Sequence, residues 1–198
     1  MASTDRIATA SPPQLAVSTA VGNMSATYMF VMLDLDVPPQ KGGSTRRVLL
    51  HAMNTDFKPT KQKISGAAML LASDSKGPAP YLSPGPPATD TVAHRYVQLL
   101  FQQPANLKVK ASDFANTTAR FDFDINSFMS TNGLGAPMAG NFFKVDGRAN
   151  ATEAAGGSAT ESGGRSRSSA KPFEGAAAGL DVSHGLAGLL GGLVMLAV

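Results

Sequence analysis

The sequence predicts a mainly β domain, because its apolar residues cluster in short runs that turn-forming residues separate. Residues 28–33, 47–53 and 94–101 are the three clearest runs, rich in β-branched, aromatic and long aliphatic side chains. This composition over so short a length is typical of buried strands. Two prolines and two glycines follow the first run, and five prolines lie among residues 77–87. The first group predicts a loop, and the five prolines exclude regular structure over residues 77–87.

Weaker segments complete the predicted sheet. Residues 14–17 are expected to form one poor strand, and residues 140–145 a last strand. Residues 57–63 are polar and contain Pro59, which predicts an interruption between strands. The apolar segment over residues 64–72 contains a glycine and several alanines, so its pattern is ambiguous.

Residues 121–132 fit two patterns. Phenylalanines alternate with aspartates at first, as in a half-buried strand, whereas the apolar residues from Ile125 onward fall at helical spacing. We favour a short helix because both ends carry capping residues. Asp122 or Asp124 can cap the N-terminus, and Asn132-Gly133 provides a left-handed stop.

A change in composition after Gly147 marks the predicted end of the domain, because glycine, alanine and serine dominate from there on. Such a segment cannot bury enough apolar surface to become ordered. We therefore expect four parts. They are a disordered or remnant N-terminus over residues 1–13, the domain over residues 14–148, a disordered Ser/Gly/Ala-rich stalk over residues 149–184 and an apolar tail over residues 185–198.

The stalk and tail together are typical of a lipid-anchor attachment signal, whose tail is cleaved. The alternative is a disordered tail or a packed helix. Glycosylation sequons at Asn23, Asn116 and Asn150 add weak support for a secretory route. We expect an extracellular or cell-surface protein held at the membrane by this anchor. Residues 1–20 lack the apolar core of a signal peptide, and a truncated N-terminus would reconcile the two observations.

Composition excludes several classes of protein. The chain has no cysteine, which excludes disulfides, thiolate zinc sites and cysteine nucleophiles. The net charge is only +3 and the basic residues are scattered without interleaved aromatics, which argues against a nucleic-acid partner. The HExxH, Gly-x-Ser-x-Gly and phosphate-cradling glycine motifs are missing from the sequence. We therefore expect no enzymatic activity, no cofactor and no metal.

Four polar residues at the edges of the apolar runs are candidates for a binding site. Asp34 and Asp36 follow the first run, and in an extended chain their spacing directs both side chains to one face. His51 lies within the second run and His94 opens the third. Judged alone, these residues are better explained by ordinary roles, as satisfied core or edge histidines and as turn-forming aspartates before Pro38-Pro39. A shared pocket is the functional hypothesis.

Four segments carry a family resemblance. Asp34-Leu35-Asp36-Val37-Pro38 resembles the Asp-Pro-Asp-x-Pro motif of the phosphatidylethanolamine-binding protein family, and Leu50-His51 resembles its second strand. Pro84-Gly85-Pro86-Pro87 followed by His94-Arg95-Tyr96-Val97 is similar to its Gly-Pro-Pro loop and His-Arg-Tyr strand. Residues 133–143 are similar to its C-terminal loop and last strand. The four motifs occur in the family's order, over about residues 14–146.

The resemblance implies a β-sandwich built on a large antiparallel sheet with a few short helices. It also implies a pocket for phosphate-like anions and phosphoethanolamine head groups. Its two imidazoles can donate hydrogen bonds to phosphate oxygens, while the carboxylates orient them and favour their protonated forms. The implied ligand-binding residues are Asp34, Asp36, His51, Gly85, Pro86, Pro87 and His94.

Three positions depart from the family pattern. Leu35 replaces a proline, Ala52 replaces an aromatic residue, and Val92 replaces a glycine. Ala52 widens the pocket or removes a stacking surface, which leaves the head-group preference open. The family's N-terminal strands are also largely missing, so we expect an exposed sheet edge or core face and low stability.

The leading hypothesis is a non-enzymatic binding module for an anionic head group or phosphorylated ligand. The resemblance also implies a protein partner, either a protease or a component of a kinase pathway. One alternative is an inhibitor of a carboxypeptidase or serine protease, and another is a cell-surface structural protein with a vestigial pocket. A hydrolase or metalloenzyme that uses the two histidines and two aspartates is the remaining alternative.

Overall fold

The structure, a computed structural model, describes residues 9–20, 22–65 and 67–148, together with the backbone of two short strands near the C-terminus. Its eight strands are β1 Gln14–Ser18, β2 Tyr28–Val37, β3 Arg47–Ser65, β4 Ala68–Ala72, β5 His94–Gln102, β6 Ala139–Val145, β7 Leu189–Leu190 and β8 Leu193–Leu196. The described residues also include an α-helix, α1, over Ile125–Asn132, and 3-10 helices over Ala111–Phe114 and Thr117–Arg120.

All strand pairs are antiparallel, in the order β6-β5-β2-β3-β4-β1-β8-β7. The fold class predicted from the sequence is therefore confirmed, as a mainly β chain around one large antiparallel sheet with few short helices. β2 is the central strand of the half that carries the candidate residues, because it pairs with β3 on one side and β5 on the other.

β2 is buried on both faces, which explains its continuous apolar sequence. Side chains of even number, such as Tyr28 and Phe30, pack against β1 and β4 residues in one core cluster. Side chains of odd number, such as Met29 and Val31, pack in a second cluster, with residues of α1 against it. The sheet thus folds over on itself, and this arrangement makes the layers of the sandwich.

The predicted interruption at residues 57–63 is wrong, because β3 continues through Pro59 to Ser65. β3 pairs with β2 up to Phe57 and with β4 from Lys58 onward. Pro59 therefore has a neighbouring strand on one side only. A proline is tolerated at such a position because the side without a partner strand needs no N–H donor. The strand turns between its two halves at Asp56, whose φ of 65° lies in the left-handed region. A register shift between β2 and β3 places a bulge there.

The helix predicted within residues 121–132 is confirmed as α1. The Asp124 carboxylate accepts hydrogen bonds from the backbone N–H groups of Asn126 and Ser127, and Gly133 ends the helix at φ 64°. These are the two capping interactions that favoured a helix over a strand. None of the helices among the described residues has the length and apolar character needed to cross a bilayer.

The terminal predictions lie mostly outside the described residues. These are the greater part of the N-terminal segment, the stalk over residues 149–184 and most of the tail. Within the tail, β8 pairs antiparallel with β1 and β7 pairs with β8. The lipid anchor and the boundaries of the four parts stay predictions.

Candidate functional site

The structure brings Asp34 and His94 into direct contact across neighbouring strands. Asp34 lies near the end of β2 and His94 opens β5, where the β2–β5 register pairs Asp34 with Tyr96. The His94 Nδ1–H donates to Asp34 Oδ2 at 2.8 Å, and the two side chains are only 2% and 3% exposed. Asp34 Oδ1 accepts a second hydrogen bond, from the backbone N–H of Asp36 at 2.8 Å. The carboxylate is therefore held in one orientation by two donors.

A β-bulge positions His51 beside this pair. The β2–β3 register steps from Met32↔Ala52 to Leu33↔Leu50, so His51 is the extra residue on β3. A bulge re-aims a side chain that a regular strand would place elsewhere. Here His51 Nε2 lies 3.8 Å from Asp34 Oδ2, and His51 Nδ1 lies 2.9 Å from the Leu82 carbonyl oxygen. Asp34 thus lies between the two imidazoles.

Asp36 is close to the cluster but binds a different partner. Its carboxylate accepts hydrogen bonds from the backbone N–H and from the guanidinium of Arg95, at 2.8–2.9 Å. The backbone between Asp34 and Val37 also departs from regular pairing. Whether Asp36 contacts a ligand together with Asp34 stays a prediction. Asp36 fixes the start of β5, and with it the position of His94.

Asp90 is a member of the cluster that the sequence analysis missed. Its Oδ2 lies 2.9 Å from His94 Nε2, and its two oxygens accept hydrogen bonds from the Arg46 guanidinium at 2.8 Å each. Arg46 also donates to the Asp36 carbonyl oxygen. The only sequence signal is an acidic residue four positions before His94, and this is indistinguishable from a loop aspartate.

The predicted Gly85-Pro86-Pro87 wall lies against the chain that follows β6. Pro86 is buried, whereas Gly85 and Pro87 are exposed. A Cβ on Gly147 would lie 2.7 Å from the Pro87 carbonyl carbon and close to the carbonyl oxygens of Pro86 and Pro87. The backbones therefore touch, and only glycine fits at this point. The part of this wall in ligand binding stays a prediction.

The two histidines have opposite electrostatic environments. Burial lowers the pKa of His51 below its ordinary value, against the opposing effects of the Leu82 carbonyl and Asp34. Burial acts in the same sense on His94, but its hydrogen bonds to Asp34 and Asp90 outweigh it and raise the pKa. Both His94 nitrogens face carboxylates, which is the arrangement of an imidazolium. The Arg46 guanidinium holds the pKa of Asp90 well below its usual range.

We expect this difference to appear in a histidine NMR titration. His94 should titrate above about 6.5 and His51 below it. The raised pKa of His94 contributes stability that is complete below about 6.5 and is lost as the pH rises through the folded-state value. The lowered pKa of His51 instead costs stability as the pH falls below about 6.5. Titration of both rings near the ordinary value would contradict this account of the cluster.

The cluster is closed rather than open. The side chains of Asp34, His51, Asp90 and His94 are each 7% exposed or less. An open cleft elsewhere on the domain is lined by Thr27, Asp56, Lys58, Pro59, Thr60, Ala72, Ser73, Asp74 and Ser75, and includes no residue of the cluster. Within the described ranges, no group of three or more acidic or histidine side chains is arranged to hold a metal ion.

Two of the three predicted glycosylation residues lie in the described part of the chain, and both are exposed. Asn23 Oδ1 accepts a hydrogen bond from the backbone N–H of Ser25 at 2.9 Å, and Asn116 Oδ1 accepts one from Thr118 at 2.9 Å. Asn150 lies outside the described residues. Modification at these positions stays a prediction.

The chain is similar to several known proteins. The Phomoidride biosynthesis cluster protein N of Talaromyces stipitatus is 35% identical over 125 residues, covering 60% of this chain and 59% of the relative. The protein of the same name from a fungal species is 33% identical over 145 residues, covering 71% and 63%. The 26 kDa secreted antigen of Toxocara canis is 29% identical over 120 residues, covering 59% and 41%. The chain thus spans about three fifths of the length of the first two relatives.

Among solved structures, the carboxypeptidase Y inhibitor complexed with its cognate proteinase is 24% identical, with a TM-score of 0.47. The match covers 64% of this chain and 62% of that chain. A family model described as Phosphatidylethanolamine-binding protein matches residues 3–143. This match covers more than half of the 198 residues, and it confirms the resemblance found in the sequence. The chain belongs to the phosphatidylethanolamine-binding protein family.

Proposed function

We propose that this protein is a non-enzymatic binding module whose site, around His94, accepts a phosphate-like group or a phosphoethanolamine head group. The observation that carries the proposal is the mixture of charges within one cluster. His94 and Arg46 provide cationic hydrogen-bond donors, and Asp34 and Asp90 provide carboxylates. His94 lies within 2.9 Å of both carboxylates, and Arg46 lies 2.8 Å from Asp90. A zwitterionic head group presents a phosphate to the donors and an ammonium to the carboxylates.

Arg46 supplies the route from solvent to this cluster. Its side chain is 29% exposed, whereas the Asp90 that it binds is 7% exposed. A guanidinium presents parallel N–H donors that match two oxygens of a phosphate as well as those of a carboxylate. An incoming anion can therefore meet Arg46 first and then reach His94. The Asp90 carboxylate connects the two residues, because it is hydrogen-bonded to both.

The arrangement of His94 supports a binding role rather than catalysis. A general base must be neutral to accept a proton, whereas the raised pKa of His94 keeps this ring protonated to a higher pH than an ordinary histidine. Both ring nitrogens of His94 are within hydrogen-bond distance of carboxylate oxygens. Its charge is thus suited to holding an anion.

The test is calorimetric titration of the full chain with phosphoethanolamine, for the wild type and for His94→Ala. We expect saturable binding by the wild type and at least a tenfold loss in the variant, since charge-assisted hydrogen bonds to an anion contribute about 1.5–3 kcal/mol each. His184→Ala is the matched control, because it removes the chain's remaining histidine from the stalk and tail region.

Three outcomes would overturn the proposal. The first is no binding by a chain whose urea unfolding is cooperative. The second is binding that His94→Ala leaves unchanged. The third would overturn only the non-enzymatic role. It is the release of ethanolamine or phosphate from the ligand by the wild type, together with the loss of this release in His94→Ala.

Attachment to a cell surface is a further part of the proposal, and inhibition of a protease is the alternative function. The anchor follows from the composition of the stalk and tail, and digestion of intact cells with a phospholipase would release an anchored protein. Inhibition would appear as a dose-dependent loss of activity of a carboxypeptidase or serine protease.

A further inference from the structure

The loop over residues 88–93 turns the Asp90 side chain into the cluster and leaves four of the other residues exposed. Ala88, Thr89, Thr91 and Val92 are exposed, whereas the Asp90 side chain is 7% exposed. The loop is held in this turn by two local hydrogen bonds. The Asp90 N–H donates to the Pro87 carbonyl at 3.0 Å, and the Val92 N–H donates to Asp90 Oδ1 at 3.0 Å. Asp90 is therefore the residue through which this loop contacts the cluster.

The Asp90 carboxylate makes the contacts that a bound anion would make. One oxygen faces His94 Nε2 at 2.9 Å and also accepts from Arg46 Nη1, while the other accepts from Arg46 Nη2 at 2.8 Å. This is the two-pronged geometry by which a guanidinium binds either a carboxylate or a phosphate. A ligand oxygen cannot share these donors with Asp90, because the donors are already occupied.

Charge makes the competition stronger. A phosphate that enters beside Asp90 would face Asp34 as well, so two carboxylates would repel it within a poorly hydrated space. A zwitterionic ligand differs, because its ammonium group can pair with the carboxylate that its phosphate displaces. The site with Asp90 in place should therefore discriminate between the two kinds of anion.

We propose that Asp90 is a specificity-determining residue, an internal anion that competes with the ligand for His94 and Arg46 and thereby disfavours free phosphate relative to phosphoethanolamine. This inference rests on the proposed function, because it concerns the same site. Binding requires the 88–93 loop to withdraw Asp90, and the Arg46 guanidinium then passes from Asp90 to the ligand.

The experiment compares the wild type, Asp90→Ala and Asp90→Asn by calorimetry of the full chain with inorganic phosphate and, separately, with phosphoethanolamine. We expect Asp90→Ala to bind inorganic phosphate at least tenfold more tightly than the wild type does. The increase in affinity for phosphoethanolamine, from the wild type to Asp90→Ala, should be smaller. Asp74→Ala is the matched control, because it removes one exposed negative charge outside the cluster, and its affinity should stay within twofold of the wild type.

The outcomes separate the inference from the proposed function. Equal phosphate affinity for the wild type and Asp90→Ala would overturn the competition and leave the binding site standing. Absence of binding by every folded variant would overturn both. If Asp90→Ala does not fold, Asp90→Asn keeps the shape of the side chain and removes its charge, and the same tenfold criterion applies. A His94 NMR pKa that Asp90→Asn leaves unchanged would also overturn the inference, since the contact itself would then be missing in solution.

Discussion

Replacing Asp34 with alanine is expected to lower the free energy of unfolding by about 3 kcal/mol near pH 6, because it leaves a buried imidazolium without its partner. The His94 side chain is 2% exposed and its Nδ1–H points to Asp34 Oδ2. The substitution also removes the acceptor of the Asp36 backbone N–H. Asp90 remains on the other side of the ring, which is why we expect about 3 kcal/mol rather than the upper end of the range for broken buried pairs.

The loss of unfolding free energy caused by Asp34→Ala should depend on pH. His94 has a raised pKa in the folded chain. The difference in unfolding free energy between Asp34→Ala and the wild type should therefore be largest at a pH where His94 is charged in both proteins. The difference should shrink as the pH rises through the folded-state pKa. Urea unfolding at several pH values measures it, with Asp74→Ala as the control for loss of an exposed aspartate. A loss below 1 kcal/mol at pH 6, or one that grows with pH, would contradict the buried ion pair.

Replacing Gly77 with alanine should cost about 3 kcal/mol, because two separate penalties apply at this residue. Its φ of +73° is unfavourable for any side chain, and a Cβ there would lie 2.7 Å from Asn54 Cα and close to the Met53 carbonyl oxygen. The neighbouring backbone is fixed by a reciprocal pair of hydrogen bonds between Met53 and Ala79, at 2.9 and 3.1 Å. The proline-rich segment would have to leave β3 to accept the extra carbon.

The chain contains two matched controls for this substitution. Gly133 has φ +64° with nothing near its missing Cβ, and Gly135 has neither the positive φ nor a near neighbour. We expect Gly133→Ala to cost about 1 kcal/mol and Gly135→Ala to cost almost nothing. Urea unfolding of the three variants separates the conformational penalty from the steric one. Equal losses for Gly77 and Gly133 would show that the close approach of Gly77 to β3 does not hold in solution.

Much of the fold follows from local sequence patterns. α1 was predictable because Asp124 and Gly133 are capping residues whose chemistry acts within a few positions along the chain. The continuation of β3 through Pro59 was not, because it depends on which neighbouring strand lies on each side of that proline. Sequence alone carries no information on the side from which a strand is paired.

The candidate site was predictable in part for the same reason. Asp34 and His94 lie at the edges of two strong strands, and these strands are neighbours in the sheet. The place of His51 depends on a bulge, which arises from the register between β2 and β3 rather than from any local motif. Asp90 lies in a polar loop, where an aspartate has an ordinary explanation. Its role became visible only through its contacts with Arg46 and His94.

The corner of β3 has a consequence for how this sequence can change over evolutionary time. The Asp56 backbone N–H and carboxylate form a reciprocal pair with the Gln103 side chain, at 2.8 Å each, so the corner is anchored to the end of β5. An inserted or deleted residue in a strand normally reverses which side chains face inward. Here the irregular corner can absorb such a change in the half of β3 that pairs with β4, while the alternation around His51 is kept. That half of the strand can therefore vary in length among descendants of this chain without moving the residues around His94.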